Sequence, residues 1–377
     1  MNPRDQAFEI AQELGFERVG AAPLAPPPRA AEFDAWLAAG RHGSMAYLAA
    51  HQERIVDPRR VLPEGRSLLV VGLAHSRPAI RLAGGGRVAR YAGGRDYHNW
   101  IGKRLRTLRR RLEEAGLTGP YRSVVDAGPL LERSHAAVAG IGSESKAGNL
   151  LAPGFGPWLF LGELLLGEEL EPGPADGAPL PNCGTCTACL DACPTDAIVA
   201  PGEVDARRCL SYLTIEHRGP IDRELRAGLG EWAFGCDICS EVCPWGHEAP
   251  DTSARLGDHP ALAADERSPG VLVRWLNERE AFSERFNGSP LQRPKREGLA
   301  RNAALVLGNT PSEAGRSALL KALAEDPSPT VRAAAGWSLA RAHGSDAGVR
   351  AALESALARE PDPEASEDLR ASLADAP

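Results

Sequence analysis

A multidomain α+β protein is what the sequence predicts: an N-terminal α/β part, a small cysteine-bound module, and a C-terminal stack of α-helical repeats. Three observations carry this. Helical and strand patterns alternate over the first 170 or so residues, all eight cysteines fall between 183 and 243, and Ala- and Leu-rich helical segments recur after Pro244. A chain of 377 residues is also too long for one ordinary core. The hydrophobic fraction of 43% and charged fraction of 25% are those of a globular protein rather than a disordered one.

In the first part, EFDAWLAAGRHGSMAYLAAH reads as amphipathic helix and SLLVVGLAH as a buried strand. NWIGKRLRTLRRRLEEAG reads as a long basic helix closing on Gly116, and YRSVVDAGPL as a strand ending in a turn. Such alternation favours an α/β or α+β domain, expected over residues 1–172. The Pro- and Gly-rich EPGPADGAPLPNCG leads into the cysteine module, expected over 173–255. Beyond it ALLKALAEDPSP is echoed by ALESALAREPDP 34 residues on, a period expected of HEAT-like helix pairs over 256–377.

Nothing at the start resembles a basic segment followed by an apolar one, and the apolar run WLFLGELLLGEEL is interrupted by Glu163. A cytoplasmic protein without a membrane span is therefore expected. In a reducing compartment clustered cysteines point to metal ligation rather than disulfides. The formal net charge of −7 excludes a generally basic surface, so a nucleic-acid partner would have to meet a local patch.

The run Cys183-Gly-Thr-Cys186-Thr-Ala-Cys189-Leu-Asp-Ala-Cys193-Pro194 decides which metal. Eight thiols could hold two zincs, but two zinc hairpins leave this compact run unexplained. It has the bacterial ferredoxin spacing, in which three close thiolates bind one 4Fe-4S cubane and the fourth, before proline, binds the other. Cys183, Cys186 and Cys189 are thus expected on cluster one and Cys193 on cluster two. The run Cys236-Asp-Ile-Cys239-Ser-Glu-Val-Cys243-Pro244 repeats half the pattern. By pseudo-symmetry Cys236 and Cys239 join Cys193, Cys243 crosses to cluster one, and Cys209 completes cluster two. Two cubanes side by side conduct electrons, so the rest of the chain is expected to hold a redox centre and a substrate site.

Further motifs occur in a fixed order: Arg90-Tyr91-Ala-Gly-Gly-Arg-Asp96-Tyr97-His98, Val125-Asp126-Ala-Gly128-Pro-Leu-Leu-Glu132-Arg133, Ala139-Gly-Ile-Gly142, and Phe155-Gly156-Pro-Trp158-Leu-Phe-Leu161-Gly162-Glu163. With the two-cluster module, the segment from Arg296 to Ala303 and the HEAT-like tail, this order resembles epoxyqueuosine reductase over nearly the whole chain. The resemblance implies a cobalamin-dependent iron-sulfur reductase that removes the epoxide oxygen from epoxyqueuosine at the wobble nucleotide of a tRNA. Its cobalamin domain is similar to that of reductive dehalogenases, so a corrinoid reductase of a small molecule is the rival expectation. One motif departs from the family's usual Gly-x-Gly-Trp-x-Gly-Lys-Asn: here Gly140-Ile-Gly142-Ser143-Glu-Ser-Lys146-Ala147 keeps the glycines and Lys146 but lacks the Trp and Asn.

Asp126 ends a strand on a turn, where it would merely cap the turn by residue chemistry alone; the resemblance implies that it is the proton donor. The resemblance also implies Arg54, Ala89, Leu150 and Leu161 around the corrin with Asp126, and Glu216, Cys236 and Asp237 on the cluster side. His98 is taken as an ordinary helix-start histidine. The basic group Arg293, Lys295, Arg296 and Arg301, with Glu297 among them, is expected to meet tRNA phosphates at the entrance to the tail. The run 103–111 reads more as a solvated face. A low-potential electron donor is implied as the other partner, and a monomer as the working form.

Overall fold

A computed structural model describes residues 2–126, 128–266, 270–278 and 280–376. Ala127, within one of the motifs above, lies outside them. Contacts group the chain into two compact units. One comprises Met1–Pro78, Asp96–Arg207 and Asp237–Gly257; the other comprises Ala79–Arg95, Arg208–Cys236 and Asp258–Pro377.

The first unit is built on a five-stranded sheet in the spatial order Tyr121–Val124, Leu159–Leu166, Ser67–Ala74, Arg18–Pro23, Gly173–Pro174. Every pairing in it is antiparallel, so of the two expected classes the α+β one is realised. SLLVVGLA is buried at all eight positions because it lies inside the sheet with both faces covered. On one face Leu161 and Leu165 share a core with Val70, Val124, Leu130 and Ala136. Helix Tyr97–Glu114 turns Ile101, Leu105, Leu108 and Leu112 inward at 3.6-residue spacing and caps its start with the Asp96 carboxylate, which accepts from the His98 N–H.

The expected helix over residues 32–51 is broken. It stops at Ala38 and resumes at Ala46, with Gly40 at φ 65° and Gly43 at φ 58° in the left-handed region between them.

The second unit ends in the helices Lys295–Asn309, Glu313–Glu325, Pro329–His343, Ala347–Arg359 and Pro363–Asp375. Ser312, Ser328, Asp346 and Asp362 each cap the following helix with a side-chain oxygen. The 34-residue period becomes a contact: Ser338 Oγ donates to Ala304 O at 2.9 Å. A Cβ on Gly308 would meet the Ser338 Cβ at 2.6 Å, so the close crossing of these helices requires glycine there. No helix among the described residues is long and apolar enough to cross a membrane.

Candidate functional site

The thiols come first, because most of them share the unit that carries the sheet. Cys183, Cys186, Cys189, Cys239 and Cys243 line one cavity of about 40 Å³, completed by Asn149, Leu151, Pro157 and Trp245. Two short helices, Ala188–Asp191 and Ile238–Glu241, carry Cys189 and Cys239, the second thiols of the matching pairs Cys186/Cys189 and Cys236/Cys239, and each ends in a matching turn. Cys193 N–H donates to Leu190 O, and Cys243 N–H to Ser240 O, both at 3.3 Å. This is the pseudo-symmetry that the spacing implied. Burial pushes the Cys189 and Cys243 thiols up, with Cys183 and Cys186 adding to the effect on both, so these four thiols lie in electrostatic reach of one another. Iron would reverse that direction by taking the thiolate form. Among the described residues no three His, Cys, Asp or Glu side chains converge on a single metal ion.

The segment that departs from the family pattern is part of this cavity. Lys146 N–H donates to Cys183 Sγ at 3.4 Å, and its Nζ donates to Gly184 O at 2.8 Å and Cys186 O at 2.9 Å. The lysine clamps the loop that presents the first two thiols. Asn149 Nδ2 donates to Ser240 Oγ at 3.1 Å and so ties the same segment to the second run. Cys209 immediately precedes helix Leu210–Ile215, and with Cys236 it belongs to the second unit.

Asp126 follows the edge strand Tyr121–Val124 at φ 49°, a left-handed conformation that Asp tolerates better than most residues. Its side chain is 57% exposed. Tyr97 Oη donates to Asp126 Oδ2, and His98 Nε2 lies 3.2 Å from the same oxygen. On the other side of the imidazole, His98 Nδ1 lies 2.7 Å from Asp96 Oδ1. Burial opposes a charge on His98, but hydrogen bonds to Asp126 and Asp96 outweigh it and raise the imidazole to about 9. Both ring nitrogens therefore carry protons at neutral pH. His98 is thus not an ordinary helix-start residue, as it was read above; the sequence signal was its place two residues after the capping Asp96. Tyr97 was missed outright.

An aromatic row supports the pair. Tyr97 stacks on Phe160 at 4.0 Å between centroids, Phe160 lies 4.1 Å from His75, and His75 meets Trp158 edge-on. Trp158 Nε1 donates to Gly246 O at 3.2 Å, beside the second thiol run. These contacts hold helix, sheet and cysteine module in one register.

The remaining expected residues are placed as follows. Leu150 and Leu161 lie in the sheet core at 4% and 8% exposure, and Arg54 is exposed on the short helix Gln52–Val56. Ala89 is buried in the second unit, where its Cβ would stand 2.4 Å from a Cβ on Gly235. Asp237 is buried. Glu216 accepts both arms of the Arg293 guanidinium at 2.8 Å. The basic group divides. Arg301 is 1% exposed and donates to the carbonyls of Leu213, His217 and Gly219, so its expected place on a phosphate-binding surface is corrected: it is a core anchor. Arg296 is half-buried against the Asp326 carboxylate, whereas Arg293 and Lys295 are exposed.

Two thiol runs around one cavity, joined through an aromatic row to an acid flanked by donors, define an iron-sulfur redox enzyme. Epoxyqueuosine reductases of Xanthomonas campestris and Pseudomonas aeruginosa are 39% and 41% identical to the chain over 91% and 88% of its length, covering 98% and 92% of theirs. The chain belongs to the epoxyqueuosine reductase family of oxidoreductases. Residues 56–127 match the family model described as epoxyqueuosine reductase QueG, DUF1730; 182–246 match a 4Fe-4S double cluster binding domain and 291–374 match HEAT repeats. Among solved structures, an epoxyqueuosine reductase crystallised with an epoxyqueuosine-modified tRNA-Tyr stem loop superposes at TM-score 0.80, with 27% identity and 98% of each chain covered. The Bacillus subtilis enzyme, with a catalytic aspartate loop swung out of its active site, superposes at 0.83, with 27% identity over 99% of this chain and 98% of its own.

Proposed function

We propose that this chain converts epoxyqueuosine in tRNA to queuosine, with Asp126 as the proton donor. The observation that carries the proposal is the Asp96–His98–Asp126 arrangement at an exposed strand end on the unit that holds the thiol cavity. Opening an epoxide to an alkene and water takes two electrons and two protons. When bound, cobalamin supplies a strongly reducing metal centre and two 4Fe-4S clusters the electron supply. A corrin is held mainly by apolar surface and backbone; Leu150 and Leu161, in the sheet core that also includes Val124 of the Asp126 strand, and Arg54 on the same unit would be its contacts. Cys183, Cys186, Cys189 and Cys243 would hold cluster one, and Cys193, Cys209, Cys236 and Cys239 cluster two.

Asp126, taking a proton at Oδ2 from His98 Nε2, delivers it to the epoxide oxygen as the carbon–oxygen bond breaks. His98, charged up to about pH 9, stands on the same carboxylate and can return a proton through Nε2 to Oδ2. Tyr97 and Asp96 hold the imidazole and carboxylate in line. A tRNA substrate is supported by the relative crystallised with a modified stem loop. Arg293 and Lys295 are the exposed cations at the start of the helical tail that would meet its phosphates. The enzyme would work as a cytoplasmic monomer with a low-potential electron donor.

The test is anaerobic turnover of epoxyqueuosine-containing tRNA by protein reconstituted with iron, sulfide and cobalamin, read by nucleoside mass spectrometry. Asp126→Asn keeps a residue that accepts the left-handed conformation while removing the proton. We expect the wild type to remove one oxygen and the variant to lose at least ~100-fold in rate while still binding tRNA. A variant that turns over normally would remove Asp126 from the chemistry.

A further inference from the structure

Beneath the Asp126 turn lies a second pair of acids that the proposed reaction does not use. Glu163 sits mid-strand in Leu159–Leu166, opposite Val124 on one side and Val70 on the other, and is 0% exposed. Among the described residues neither of its oxygens has a hydrogen-bond donor facing it. Its neighbour is Glu132, the first residue of helix Glu132–Val138, and two carboxyl groups in such contact satisfy each other only through a shared proton. Glu132 is half-buried by surface accessibility, although protein packs densely about its carboxyl group. Its Oε1 accepts the backbone N–H of Asp126 at 2.6 Å.

We propose that Glu132 and Glu163 are positioning residues that, by sharing one proton, form a latch whose Glu132 oxygen holds the Asp126 amide and keeps the acid turned toward the substrate. The inference rests on Asp126 being the acid. Three features lead to it. The 49° φ of Asp126 is a conformation that must be held from outside, and the amide bond to Glu132 holds it. A carboxylate in the middle of a sheet core has a cost that a packing role alone would not justify. A relative's catalytic aspartate loop is known swung out of its site, so a loop of this kind has two positions and a latch has something to select.

Burial, and then the Asp126 charge, raise Glu132 to about 8 against the lowering contact with Glu163; burial and the Glu132 charge raise Glu163 well above the usual carboxylate range. A proton is therefore available to bridge the two carboxyl groups at neutral pH. The other charged or titratable groups facing this turn are His98, Asp96 and Tyr97 on one side and Arg133 beside Glu132.

The experiment is hydrogen exchange of the Asp126 amide in the full reconstituted chain without tRNA, by mass spectrometry of the peptide spanning 121–131, expressed as a protection factor at pH 7. Glu163→Gln, whose amide N–H donates to Glu132 in place of the shared proton, should keep the wild-type protection. Glu163→Leu, which offers Glu132 no proton, and Glu132→Ala should each lose roughly tenfold. Full protection in Glu163→Leu, or a loss in Glu163→Gln, would overturn the shared proton, and full protection in Glu132→Ala would overturn the latch. Melting temperatures show whether each variant is folded, and Glu163→Gln replaces a strained acid by its neutral isostere. Since exchange is read without substrate, a failure of Asp126 as acid would appear in turnover and leave these outcomes unchanged.

Discussion

At the residue scale, the chemistry concentrates on one oxygen. Asp126 Oδ2 takes the Tyr97 hydroxyl and the His98 imidazole together, and the imidazole is itself anchored on Asp96. His98→Gln removes the imidazole, which is raised to about 9. Wild-type kcat/KM should fall above about pH 9, and the variant should be slower throughout with no inflection there. The same shift has a stability sign. A raised folded pKa stabilises fully below the unfolded value of about 6.5 and is lost as pH rises through about 9. The gap in melting temperature between wild type and variant should therefore be widest in acid and close in alkali. Asp126 was legible as a strand-end acid, but its partners were not, because nothing in a linear sequence states that a helix start 28 residues earlier returns to that turn.

At the element scale, the cysteine module shows what spacing can and cannot carry. The two thiol runs and their proline stops predicted a repeated ligand pattern, and each run carries a short helix that the spacing did not state. That the departing segment near Lys146 closes the cavity was not predictable, since it depends on a β-turn placing Lys146 against Gly184 and Cys186. Lys146→Ala should leave both carbonyls without this donor, and the reconstituted protein should lose iron faster than wild type on exposure to chelator, measured by loss of visible absorbance. Unchanged iron retention would limit Lys146 to a surface contact. The helix expected over 32–51 failed for a local reason: two glycines seven and four residues ahead of Tyr47 adopt positive φ, and the hydrophobic period across them was not a continuous helix.

At the scale of the whole molecule, the tail combines a basic entrance with a dense core. Reversing Arg293 and Lys295 to Glu should weaken tRNA binding and flatten its salt dependence by about two charges, with a small fall in melting temperature because Glu216 loses its Arg293 partner. Arg301→Ala should do the opposite, because three backbone carbonyls lose their donor in the core; melting temperature drops while any folded fraction keeps its tRNA affinity. Both are checked by salt-titrated binding beside thermal melts. The sequence by itself determined the elements whose signal is local: the two thiol runs, the 34-residue helical period, the buried strand and the family to which their order belongs. Only the tertiary structure decided which charges are surface and which are core, that the sheet is antiparallel, and that Glu132 and Glu163 stand together under Asp126. Burial and pairing are properties of residues distant in the chain, and an arginine or glutamate reads the same in a sequence whether water or a carbonyl, a carboxylate or a shared proton, faces it.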